Sequence, residues 1–417
     1  MKRLIIFLGI CLLIFPLKSQ QISLVECHEM ARTNFPLIRQ QGLIIETANT
    51  SASALLSQYF PQIQVVGQAS YQSDVTKIPI SIPNMTIPEM EKDQYKVYAE
   101  ASQVLYDGGV IGLQRKFIQA NAKVEQQKVE VEMYKILDRV NQTYFAVLLM
   151  DEQLKQNELL QNDLQTALDK VKVMVKNGIS LATNQQNLEA ELLNVNQYKT
   201  EILTNRQSLV KVLGLLTGKE LSDQTVFVRS PSIASSAVNQ RPELSLIDYQ
   251  IGNLQLQNKQ LTAQNLPKLN LFFQGGYGKP ALNMFSNKFE PYYVMGAKLN
   301  WQFSKLYTLR KDRANLETQR KNLNLQKDIF NLNNEISQTQ QTGEILKLRQ
   351  MLNSDEEIIT LRSKIKQTSA TQLENGVITS PDFIREANAE YQARQKKAIH
   401  EMQLLLAEYN LQWTKGN

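Results

Sequence analysis

Pro61-Gln62-Ile63-Gln64-Val65-Val66-Gly67-Gln68-Ala69-Ser70-Tyr71 and Pro267-Lys268-Leu269-Asn270-Leu271-Phe272-Phe273-Gln274-Gly275-Gly276-Tyr277 are two copies of one pattern, 206 positions apart. In the first, Ile63, Val65, Gly67, Ala69 and Tyr71 alternate with Gln62, Gln64, Val66, Gln68 and Ser70. In the second, Leu269, Leu271, Phe273, Gly275 and Tyr277 alternate with Lys268, Asn270, Phe272, Gln274 and Gly276. A period of two is the signature of a strand with one apolar and one polar face. The stretch 293–303 repeats it, with Met295, Ala297, Leu299 and Trp301 against Gly296, Lys298, Asn300 and Gln302. A fourth strand is expected over 95–106. Its parity switches between Ala101 and Val104, which predicts a one-residue bulge there.

Working outward, the whole chain reads as a duplication. Asn34-Phe35-Pro36 and Gln240-Arg241-Pro242 precede the two strands at the same offset, so the intervening helical stretches have equal length. Val104-Leu105-Tyr106-Asp107 lies opposite Trp301-Gln302-Phe303-Ser304 at an offset of 197, which leaves the first hairpin loop nine residues longer (206 less 197), where Pro79, Pro83 and Pro88 stand. Asn177-Gly178-Ile179 matches Asn375-Gly376-Val377 at 198, and Thr217-Gly218 matches Lys415-Gly416. Residues 1–19 read as a secretory signal peptide: Lys2 and Arg3, an apolar run from Leu4 to Leu17, then Lys18-Ser19. The expected organisation is then a first repeat over 20–218, a linker over 219–239 and a second repeat over 240–417.

Between Gly109 and Asn177 there is no proline and only Gly112, and between Lys305 and Asn375 only Gly343 interrupts. Helix of that length is a rod of roughly 100 Å, far beyond the globular norm of about 10 to 14 residues. Leu160, Leu164, Leu168, Val171 and Val175 form a narrow apolar stripe, as do Leu188, Leu192, Val195, Tyr198 and Ile202, and Phe383, Ala387 and Tyr391. Such stripes suit helix-on-helix packing. Asn177-Gly178 and Asn375-Gly376 are helix stops, and Pro381 fits a following first turn. Each long helix should therefore turn back at a tip. The returning helices cover half of the long ones, and the stretches at 36–58 and 242–264 are expected to pack on the other half.

Strands of about ten residues with one apolar and one polar face are long enough to cross a bilayer when tilted. Tyr71, Tyr95, Tyr277, Tyr292 and Tyr293 gather at the loop ends, with Trp301 and Phe303 at the other end. Lipid tolerates no open sheet edge, and four strands are too few to close a barrel. Several copies must each contribute four, giving eight, twelve or sixteen strands. The competing reading is a soluble periplasmic coiled-coil scaffold or adaptor that carries a small sheet and forms no channel.

These features resemble the TolC-like outer-membrane efflux family. The carriers are Ser23-Leu24-Val25-Glu26 leading through Ala31 to Asn34-Phe35-Pro36, Tyr106-Asp107-Gly108-Gly109, Asn177-Gly178-Ile179-Ser180, Arg241-Pro242-Glu243-Leu244 and Asn375-Gly376-Val377-Ile378-Thr379. The resemblance implies an α+β membrane protein, internally duplicated. It implies a homotrimer with a shared twelve-stranded β-barrel in outer-membrane lipid and a long periplasmic α-helical barrel. It further implies a periplasmic adaptor, or membrane fusion protein, docking near tips marked by Asn177, Gly178, Asn375 and Gly376, and an inner-membrane transporter beyond it. The family's acidic entrance positions fall on Asp382, which matches, and Arg385, which does not. Asp382 equally suits the first turn of a helix, where its charge meets the dipole.

The residues offer little to other chemistries. The chain is 42% hydrophobic and carries a net charge of +6 with both signs mixed along the helices, so no nucleic-acid face is expected. Cys27 is the one cysteine beyond the signal, and His28 and His400 are far apart, so neither a disulfide framework, a metal site nor a cofactor is expected. Gly275-Gly276-Tyr277-Gly278 lacks the Lys-Ser/Thr of a phosphate loop. No nucleophile elbow appears, so no enzyme is expected.

Overall fold

The computed structural model describes residues 21–76, 90–229 and 241–416. The signal peptide, Pro79, Pro83 and Pro88, and the linker from 230 onward lie outside the described residues. The elements run β1 (Gln21–Ile22), α1 (Leu24–Asn34), α2 (Arg39–Leu56), β2 (Gln62–Tyr71), β3 (Asp93–Tyr106), α3 (Val110–Lys176), α4 (Ala182–Thr217), β4 (Val226–Phe227), α5 (Pro242–Gln264), β5 (Lys268–Lys279), β6 (Glu290–Asn300), α6 (Leu306–Glu374) and α7 (Ser380–Thr414). α3 has 67 residues and α6 has 69, each roughly 100 Å of rod. No described helix is long and apolar enough to cross a membrane.

The chain forms two compact units, and both draw on both repeats. One comprises residues up to Ile38 together with Glu132–Arg241 and Leu332–Asn417. Its larger core joins Ile22, Leu24, Cys27 and Ala31 to Leu137, Val140, Tyr144 and Phe145 of α3, Val210 and Leu213 of α4, and Met402 and Tyr409 of α7. α1 starts at a capping box, in which Ser23 and Glu26 satisfy each other's backbone N–H. β1 and β4 pair in parallel, and the Tyr144 hydroxyl reaches the carbonyls of Ile22 and Val228 at 2.9 and 2.6 Å, tying both short strands to α3. Burial pushes the Cys27 thiol up to about 12, so it packs as a neutral apolar group. Burial also lowers the His28 imidazole, despite its bond to Asn141.

A second core in this unit collects Leu160, Leu164, Leu168 and Val171 of α3, Leu188, Leu192 and Val195 of α4, Leu373 of α6, and Phe383 and Ala387 of α7. Leu373 apart, these residues belong to the expected stripes, so long and returning helices do meet along them, although Tyr198 of the α4 stripe is exposed. Beside that core Lys366 donates to Asp163 Oδ2 at 2.6 Å and lies 2.6 Å from Oε2 of Glu390, whose Oε1 accepts from Arg394. Three helices, α3, α6 and α7, are thereby joined by ions.

The other compact unit comprises Arg39–Val131 and Pro242–Asn331. It holds a four-stranded antiparallel sheet in the order β2-β3-β5-β6. Below the strands, α2 and α5 pack on the adjacent stretches of α3 and α6, as expected. Gln41 Nε2 donates to Glu130, Lys327 pairs with Asp248 at 2.8 Å, and Arg313 donates to Thr262.

Candidate functional site

The sheet is the first of two candidate places, and its register assigns every side chain to a face. Val65, Ala99, Gly275 and Tyr293 lie in one row, and Ile63, Ala101, Phe273 and Met295 in the next. This is the apolar face, and it is bare: Ile63 is 75% exposed, Val65 74% and Met295 71%. An uncovered apolar surface of this extent is foreign to a water-facing sheet. On the opposite face Gln64, Glu100 and Gln274 share a row, and Gln274 donates to Glu100 at 2.6 Å. β2 and β6 are each paired on one side only, so both edges of the sheet are open among the described residues.

The structure corrects two strand-level expectations. First, the bulge falls at Leu105, between Val104 and Tyr106, and pairing is regular through Val104. Gln103 interrupts the alternation before the bulge: it sits on the apolar face opposite Leu271, where its amide turns back to the Tyr59 carbonyl. Second, β6 spans Glu290–Asn300. Trp301 follows the strand and Phe303 begins a short 3-10 turn, since the alternation runs on with no stop signal. Of the tyrosines at the loop ends, Tyr71, Tyr95, Tyr277 and Tyr293 lie on the apolar face, and Tyr292 pairs opposite Gly276 on the polar one.

That polar face is less polar than its sequence implied. Tyr98 and Tyr292 flank Gly276, and Phe272 lies over Gly296. A Cβ on Gly276 would stand 2.3 Å from the Val97 carbonyl oxygen, and one on Gly296 3.2 Å from the Phe272 ring. The neighbouring strand thus leaves no room for a side chain at Gly276, and the Phe272 ring lies over the place one would take at Gly296.

The helix tips are the second candidate place. α3 ends with Gly178 at φ 71° and α6 with Gly376 at φ 69°. Gly178 N–H donates to the Val175 carbonyl and Ile179 N–H to that of Met174; Gly376 and Val377 repeat this with Leu373 and Gln372. Both are the paired closing bonds of a helix finished in the left-handed conformation. Ile179, Leu181 and Val377 beside them are exposed. The tips touch each other: the backbone N–H of Ser380 donates to Asn184 Oδ1 at 3.2 Å, and Asn388 donates to Glu191 at 2.7 Å.

Asp382 stands in the first turn of α7. Its Oδ2 accepts from the Thr379 hydroxyl at 2.7 Å and from the Thr379 N–H at 3.2 Å. Arg385 lies 3.3 Å from Oδ1 and also reaches Glu386, which in turn meets Arg362. The Thr379 bonds, with help from Arg385, hold the Asp382 carboxyl below the usual carboxylate range. The charge of Asp382 is thus used within the helix start and is balanced locally. The Lys366 cluster with Asp163, Glu390 and Arg394 was not legible beforehand, because its members are ordinary charged positions on separate polar helices.

Residues 28–215 match the family model described as outer membrane efflux protein. No curated protein matches. Among solved structures, the outer-membrane channel OprN is 13% identical with a TM-score of 0.69, over 94% of this chain and 89% of that one. The outer membrane protein VceC from Vibrio cholerae is 11% identical with a TM-score of 0.67, over 94% and 96%. The Campylobacter jejuni CmeC outer membrane channel is 12% identical with a TM-score of 0.66, over 94% and 85%. At such identities the likeness is one of fold.

Proposed function

We propose that this chain, whose residues 28–215 match the outer membrane efflux protein family, is a passive exit duct, carrying small molecules or peptides from the periplasm to the outside for an efflux or type I secretion assembly. The observation that carries the reading is the four-stranded sheet with a bare apolar face and two open edges. In lipid both features are satisfied together when β6 of one copy pairs with β2 of the next. Three copies give twelve strands and a homotrimer, the assembly the family resemblance implies. The polar face then lines the lumen. α3 and α6 with their returning helices form the wall of a periplasmic tube.

In this reading the tips are the entrance. Exposed Ile179, Leu181 and Val377, set beside Gly178 and Gly376, offer apolar contacts to a periplasmic adaptor, which links the duct to an inner-membrane transporter that supplies the energy. Asp382 and Arg385 stand at the mouth as a locally neutral pair, so removing either member leaves one sign of charge in a ring of three. Reconstitution in planar bilayers tests this. Asp382→Ala is expected to shift ion preference toward anions and Arg385→Ala toward cations. Unchanged conductance and preference in both variants removes the entrance assignment. A soluble monomer in the periplasmic fraction, in place of an outer-membrane oligomer, removes the duct.

A further inference from the structure

The strand-to-helix junction of the second repeat carries an aromatic and basic patch. Beyond Asn300 the chain runs through Trp301, Phe303, Lys305, Tyr307, Arg310 and Lys311, all exposed. The Trp301 indole N–H donates to the Asn265 carbonyl at 3.0 Å, and its ring centroid is 4.6 Å from that of Phe303. This fixes both rings just past Leu299, where the apolar face ends. Tyr307 is 82% exposed. Lys305, Arg310 and Lys311 form no ion pair among the described residues. The acids near them are otherwise placed: Asp312 is on the half-buried side of α6, and Glu317 is bonded to Arg320. Arg313 is drawn to Thr262 on α5.

The duplication supplies a control. At the 197-residue offset the first repeat has Val104, Tyr106, Gly108, Val110, Leu113 and Gln114 in these six places. There the turn itself carries no cation and the first basic residues, Arg115 and Lys116, come only after these positions, so the strand-to-helix turn by itself does not explain the charges on Lys305 and Arg310. Nor does general basicity, because acids and bases are mixed elsewhere along the helices.

We infer that this junction binds the phosphates of anionic phospholipids in the leaflet on the helix side of the membrane. The inference rests on the outer-membrane reading. At that level hydrocarbon gives way to headgroups. Aromatic rings settle there, and the long stems of lysine and arginine carry their charge to the phosphates. The patch is continuous with the apolar face of β6, so one lipid can lay its chains on Met295 and Leu299 and its headgroup against Lys305, Arg310 and Lys311. A zwitterionic lipid offers the same phosphate with an ammonium beside it, so the anionic lipid binds more tightly.

The test is lipid retention by the full-length oligomer. Protein is extracted from outer membranes, delipidated, and offered equal amounts of phosphatidylglycerol and phosphatidylethanolamine, with bound lipid counted by native mass spectrometry. The wild type is expected to prefer phosphatidylglycerol by roughly tenfold. K305Q/R310Q/K311Q is expected to bind both equally with its oligomeric mass unchanged, and K305R/K311R is expected to keep the preference. An outer-membrane oligomer without the preference, or a triple variant that retains it, overturns this inference alone. So does a patch that takes lipopolysaccharide in place of phosphatidylglycerol. A chain absent from the outer-membrane fraction overturns the duct reading and this inference with it.

Discussion

Glycines at three helix ends adopt the same left-handed backbone for different surroundings. A Cβ on Gly178 or Gly376 would meet nothing within 4 Å, whereas one on Gly218 would stand 2.5 Å from that of Asn34. Gly218 therefore closes α4 against α1, where Asn34 also donates to the Thr217 carbonyl at 3.1 Å. Gly178→Ala meets only the conformational cost, about 1 kcal/mol. Gly218→Ala must also displace backbone, and about 3 kcal/mol is expected. Denaturant unfolding followed by helical circular dichroism measures both. Equal losses would show that the approach of α1 to α4 is looser than described.

At the scale of elements, what separates these helices from an isolated coiled coil is the ionic junction of α3, α6 and α7. Burial by itself favours the neutral form of Lys366, but its bonds to Asp163 and Glu390 outweigh that and raise its pKa. For Glu390 burial opposes the charge likewise, and Lys366 and Arg394 prevail and lower it. Both shifts have the sign of a mutually satisfied cluster. Lys366→Met leaves two carboxylates without their shared cation, and a loss of about 1 to 2 kcal/mol is expected, since Glu390 is buried but the Asp163 side chain is 41% exposed and screened by water. Adding Glu390→Gln to Lys366→Met removes one of those charges. The double variant should then be less damaged than the sum of the singles. Additive losses in a double-mutant cycle would mean that the three helices are held by the apolar core alone.

For the molecule as a whole, the question is which solvent each face of the sheet meets. Ile63 and Gln64 are neighbours on β2 with side chains on opposite faces. If the apolar face meets lipid, Ile63→Arg places a charge in hydrocarbon at about 2 to 4 kcal/mol per copy. Gln64→Arg points into water and costs little. Outer-membrane levels and oligomer bands on semi-native gels report the difference. Equal tolerance of both variants would mean that water or protein covers the apolar face, and the duct reading would fall.

The sequence by itself determined the duplication, the two rods with their Asn-Gly stops, the returning helices and the four strands with their alternation. These depend on steric preferences and periodicities that act within a few residues, so they are written locally. The tip glycines belong to the same class, and the structure gives both the left-handed conformation that Asn-Gly announced. Only the tertiary structure decided the rest. The pairing of β3 with β5 joins the hairpins of the two repeats, and a period of two cannot name a strand's neighbour. The parallel pairing of β1 with β4 and the meeting of Asp163 with Lys366 across 203 positions follow from packing, whereas the hold of Thr379 and Arg385 on Asp382 is local to one helix start. A charged residue on a polar helix looks the same in sequence whether it faces water or another ion, because only the neighbouring helix supplies its partner.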